Sequence, residues 1–79
     1  MTGSPALVLD CRGLRCPLPV IRLGQRISEV TVDEHVGVIA DDPAAGPDIQ
    51  AWCRMRGQEY AGQRPHEDGT PTYLVRRVL

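Results

Sequence analysis

Phenylalanine and lysine are both absent from these 79 residues, and one tryptophan and two tyrosines make up the whole aromatic content. Proteins that read single-stranded nucleic acid stack its bases on aromatic side chains, so this composition speaks against that mode of recognition. Without lysine, all nine basic residues are arginine, and against ten acidic residues they leave a net charge of -1. A balance so near neutral makes no general case for nucleic acid or an anionic membrane surface. No apolar run approaches the ~20 residues that a membrane span needs. Met1 to Pro5 carry neither a charged n-region nor a hydrophobic h-region, so a cytoplasmic location without membrane association is expected. No Cys-x-x-Cys pair occurs among Cys11, Cys16 and Cys53, and zinc sites normally show such a close pair. Neither a metal nor another cofactor is therefore expected. Three cysteines cannot all pair, so at least one thiol is free.

A chain of this length makes one domain, here residues 1–79, and can bury only about 60 to 65% of its unfolded surface. Ala6 to Cys11 is a short apolar run followed by Arg12-Gly13, which reads as a buried strand leaving through a turn. From Pro17 the period changes. Val20, Ile21, Leu23, Gly24, Ile27 and Val30 recur at helical spacing, with polar residues between them. Val36 to Ala40 forms a second strand that stops at Asp41-Asp42-Pro43. A second helix follows, starting near Pro43 or Pro47, with Ile49, Trp52, Cys53 and the stem of Arg56 on one face and Gly57 placed to end it. Gln58 to Gln63 and Thr72 to Val78 complete a hairpin across the turn-rich segment from Arg64 to Pro71. The order βαβαββ, with right-handed crossovers, predicts an α/β two-layer sandwich: a four-stranded mixed sheet with two helices on one face. A monomer is expected.

The segment from Asp10 to Pro19 joins the first strand to the first helix and holds the chemistry. Pro17 suits the first helical position, which makes Cys16 the N-cap. A sulfur there faces the positive end of the helix dipole, which favours its anion. Pro17 and Pro19 supply no N–H, so only Leu18 and Val20 can donate in the first turn and the activation should be moderate. Arg12 and Arg15 flank the thiol and add positive charge. Gly13 permits a positive φ, and the prolines hold the helix start rigid, so the sulfur is presented on a fixed corner.

Gly13-Leu14-Arg15-Cys16-Pro17-Leu18-Pro19-Val20 after a strand, Asp42-Pro43-Ala44 at the end of the second, and Asp48-Ile49 with Trp52-Cys53 resemble the TusA family, also called SirA-like. The resemblance covers nearly the whole chain. It implies that Cys16, the cysteine of the Cys-Pro-x-Pro motif, is the catalytic residue: it takes sulfur as a persulfide from a cysteine desulfurase or rhodanese-type donor and relays it to an acceptor protein. In many bacteria the relay leads to 2-thiouridine in transfer RNA, and dissimilatory sulfur oxidation is the other route. Arg12, Arg15 and Leu18, the x of the motif, then face the partner, while Gly13, Pro17 and Pro19 shape the loop. Cys11 and the turn Asp33-Glu34-His35 depart from the family pattern.

Two other classes compete with this reading. An RNA-binding module needs Arg54, Arg56, Arg76 and Arg77 to converge with Arg12 and Arg15, and a regulatory module makes the cysteine incidental. Cys53 reads as core beside Trp52, and Cys11 as a small apolar residue turned into the layer between sheet and helices. Asp42 reads as a helix cap, Asp48 as a first-turn acid, and His35 and His66 as solvent-facing.

Overall fold

The computed structural model describes residues 4–79. Strand β1 (Leu7–Asp10) leads into helix α1 (Leu18–Arg26), which tightens into a 3₁₀ turn at Ile27–Glu29. Strand β2 (His35–Ile39), helix α2 (Ala45–Arg56) and the strands β3 (Glu59–Pro65) and β4 (Pro71–Arg76) complete the expected βαβαββ order. The sheet runs β1-β2-β4-β3, with β1 parallel to β2 and the remaining pairs antiparallel. β4 thus inserts between β2 and β3, and the hairpin forms one side of the sheet.

The core follows from the two side-chain periods. Val36, Val38 and Ala40 alternate along β2, and Tyr73 and Val75 along β4, so all five face the same way. Leu9 and Cys11 join them from the β1 end, and Leu23, Ile49, Trp52 and Cys53 close the layer from the two helices. Cys11 and Cys53 are both buried free thiols, as the apolar reading of each requires. Burial pushes the Cys53 thiol up to about 11 and raises that of Cys11, which leaves both inert as nucleophiles.

The boundaries shift at three places. α1 ends at Arg26 rather than running to Val30, although Val30 stays buried through the 3₁₀ turn. β3 continues to Pro65, which pairs with Pro71, so the hairpin tip is shorter than expected. A proline is tolerated there because β3 is an edge strand. The register between β3 and β4 slips between Tyr60 and Gln63, a bulge that the alternating pattern did not predict. Gly57 ends α2 in the left-handed region, at φ 73°, and its N–H bonds back to Cys53 O.

What matters for function is that β1 and β2 are parallel neighbours, with Asp10 level with Ile39. Their C-terminal ends therefore coincide, and the loops that leave them, 11–17 and 40–44, lie side by side.

Candidate functional site

Cys16 lies in the first of these loops and is exposed, in contrast to Cys11 and Cys53. Its position differs from the expected N-cap. Leu18 N–H donates to Arg15 O at 2.9 Å and closes a tight turn, so Pro17 becomes the N-cap and α1 begins at Leu18. Pro19 falls in the first turn, where its missing N–H costs nothing, and is buried. Cys16 therefore lies one residue before the N-cap, and Leu18 N–H, one of the two donors expected for the sulfur, is spent on the turn.

Three carboxylates from the second loop and from α2 hold the site instead. Gly13 N–H donates to Asp41 Oδ1 at 3.0 Å, and Cys16 N–H donates to Asp42 Oδ2 at 2.7 Å. Asp42 also accepts from Ala44 N–H at 3.0 Å, a local turn just before α2 rather than the expected helix cap: Ala44 is the N-cap and no side chain caps it. The Cys16 thiol donates to Asp48 Oδ2 at 2.5 Å. Asp48 sits in the first turn of α2, as its reading as a helix-start acid predicted, yet its side chain is turned to the sulfur.

This arrangement reverses the expected electrostatics. The hydrogen bond to Asp48 raises the Cys16 thiol above its usual range, and local desolvation and the charges of Asp48 and Asp42 act in the same direction. All of these favour the protonated form of the unloaded sulfur. Arg12 does not offset this, because its guanidinium is occupied: it donates to Asp10 at 2.7 and 2.9 Å and to Asp68 at 2.9 Å. Arg15 is exposed and lines a shallow concavity of about 370 Å³ with Gly13, Asp41, Asp42 and Pro43. The backbone N–H groups of Ala44 and Cys16 hold Asp42 ionised, and the Arg15 charge adds to them. Leu18 is 44% exposed beside the thiol-bearing turn.

Arg12 instead ties the β1 end to the hairpin tip. Its hydrogen bonds hold the Asp10 carboxyl down to about 2, and Thr70 together with Arg12 does the same for Asp68. Folded values below the ordinary carboxylate range mean that the unfolded chain binds protons first. These contacts therefore stabilise the fold above about pH 4 and are lost as the pH falls toward about 2. Thermal melts should show a Tm that drops through this window, with a shallower drop in an Asp10→Asn variant.

Gly13 has φ 81°, the positive value that the loop was expected to need. No neighbour lies within 4 Å of a Cβ built there, so the cost of a side chain is the backbone strain alone. Gly13→Ala should lose about 1 to 2 kcal/mol and lower Tm by roughly 4 to 15 °C. An unchanged Tm would show that the loop relaxes to another conformation.

The family model described as "Sulfurtransferase TusA" matches residues 7–77. The chain belongs to the TusA family. It is 36% identical over 77 residues to the sulfur carrier protein TusA of Pseudomonas aeruginosa, which covers 98% of this chain and 96% of that protein. With the sulfur carrier protein TusA of Pseudomonas entomophila it shares 39% identity over 69 residues, covering 87% and 85%. The crystal structure of a SirA-like protein from Desulfitobacterium hafniense superposes with a TM-score of 0.76 at 20% identity, over 92% of this chain and 99% of that one. That likeness speaks for the fold: two helices on a four-stranded mixed sheet that does not close. In this TusA-family chain the sequence reading placed Cys16, Gly13 and the prolines at one loop but missed Asp41, Asp42 and Asp48 as its supports.

Proposed function

We propose that this protein carries sulfur as a persulfide on Cys16, loading from a cysteine desulfurase or rhodanese-type donor and unloading to an acceptor protein. The observation that carries this reading is the contrast among the three thiols: Cys16 is exposed on a loop fixed by hydrogen bonds, while Cys11 and Cys53 are sealed in the core. Arg15 and Leu18 form the exposed rim that a partner would meet. Arg12, already paired, adds little net charge to it. The carrier works in the cytoplasm as a monomer without a bound cofactor, and among the described residues no helix is long and apolar enough to cross a membrane.

RNA binding is the weaker reading, because four of the six arginines it needs, Arg12, Arg56, Arg76 and Arg77, are already committed within the fold. Arg76 pairs with Asp33 and Glu59, Arg26 pairs with Glu29, and Arg77 donates to the Val30 and Leu79 carbonyls. Arg56 lies over the Trp52 ring, 6.0 Å from its centroid. For the downstream route, transfer RNA thiolation is the one tested, with dissimilatory sulfur oxidation as the alternative. The relay is tested with radiolabelled cysteine and a desulfurase. Label should appear on the protein, leave on reduction, and pass into 2-thiouridine when thiolation enzymes and transfer RNA are added. Label that never enters the protein would refute the carrier, whereas label that enters but does not reach RNA would redirect it to another sulfur pathway.

A further inference from the structure

Asp48 is the one side chain that hydrogen-bonds the reacting sulfur atom among the described residues, and nothing in the local sequence required it to do so. A first-turn acid on α2 could face solvent and still complement the helix dipole. Its carboxylate reaches across to a loop 32 residues away and accepts from Cys16 Sγ.

Resting on the carrier reading above, we propose that Asp48 keeps the Cys16 sulfur protonated, as a thiol when empty and as a neutral persulfide when loaded, and thereby favours onward release of the sulfur. The added sulfur would lie about 2 Å beyond Sγ, by analogy with the S–S bond of a disulfide. That distance is within reach of the same carboxylate. A persulfide is a stronger acid than the thiol it is built on, so without a nearby anion its outer sulfur would carry negative charge. A charged outer sulfur repels an attacking thiolate, whereas the neutral S–SH group accepts attack.

The release step balances without an external oxidant or reductant. The acceptor thiolate attacks the outer sulfur of Cys16–S–SH and forms a new S–S bond, and the inner S–S bond breaks. The outer sulfur and its hydrogen leave with the acceptor as a persulfide. Cys16 departs as a thiolate, takes a proton from solvent and returns to Asp48 as the thiol.

The charged groups that bear on the site are Asp48 from α2, Asp42 and Asp41 from the loop after β2, and Arg15 from the Cys16 loop itself. Asp42 and Asp41 are held by backbone N–H groups, which separates their positioning task from that of Asp48.

The test is Asp48→Asn, with Asp48→Glu as the conservative partner. Alkylation of Cys16 by iodoacetamide is followed against pH. Discharge of the loaded protein is followed by cyanide, which removes the outer sulfur as thiocyanate. The Asn variant should alkylate faster at neutral pH, roughly threefold or more, with its profile moved to lower pH. It should discharge more slowly, and the Glu variant should recover both. Opposite changes in the two rates cannot come from a loosened loop. If Asp48→Asn leaves both unchanged, or slows both, the proposal is overturned while the carrier reading stands. If the wild-type protein never loads, the carrier reading fails, and the alkylation profile still decides whether Asp48 holds the proton.

Discussion

Cys16→Ser should abolish sulfur loading altogether, while Cys11→Ser and Cys53→Ala variants keep most of it. Sulfur transfer requires attack by a thiolate in direct contact with the donor sulfur, and serine offers no equivalent nucleophile at neutral pH. Cys11 has 0% and Cys53 has 2% of its surface exposed, so neither can be reached in the folded protein. Cys11 is further fixed by its N–H, which donates to Ile39 O at 2.8 Å within the sheet margin. Burial speaks against a resolving role in which an internal thiol would strip the cargo as sulfide. Loading of the three variants from a desulfurase, measured by labelled sulfur per chain, checks this. Substantial loading of Cys16→Ser, or loss of transfer in a folded Cys11→Ser variant, would replace the one-thiol mechanism with a two-thiol one.

The second large effect is on stability. Ile49 has no exposed surface and packs with Leu23, Val38 and Tyr73 in the single core. Truncation to alanine removes three carbons and leaves a cavity, which should cost about 2 to 5 kcal/mol. A domain of this size has a total stability of only about 4 to 12 kcal/mol. Ile49→Ala should therefore lower Tm by more than about 10 °C. Met55→Ala, on the exposed side of the same helix at 79% exposure, should stay within about 0.5 kcal/mol. Ile49 also adjoins Asp48, so the loosened helix start should weaken the hydrogen bond to Cys16. A small Tm change in Ile49→Ala would show that the core refills the cavity and that α2 does not depend on this anchor.

The sequence pattern carried the fold further than it carried the site. Strands and helices were legible because their signals are plain: Val36 to Ala40 is an unbroken apolar run, buried from Val36 onward, and Ile49, Trp52 and Cys53 recur at helical spacing. The hairpin bulge near Gly62 was not legible, because an extra residue in an edge strand leaves the composition of its neighbours unchanged. Cys16 was legible from its motif. Its supports were not, since each lies 26 to 32 residues away along the chain. Capping rules read Asp42 and Asp48 within their own helix and stop there. One signal was available: two parallel strands joined by a helix bring their C-terminal ends together, so acids after the second strand face the loop after the first. These same acids oppose the thiolate that the helix start and the flanking arginines were expected to favour.

The position of the persulfide can be read directly, because trypsin cleavage after arginine places the three cysteines on separate peptides: Cys11 within residues 1–12, Cys16 within 16–22 and Cys53 within 27–54. After incubation with a desulfurase and cysteine, the outer sulfur is trapped by alkylation and the digest is resolved by mass spectrometry. The extra sulfur should be found on the peptide 16–22 alone. Its appearance on the Cys11 or Cys53 peptide, with 16–22 unmodified, would contradict the assignment of Cys16 as the carrier.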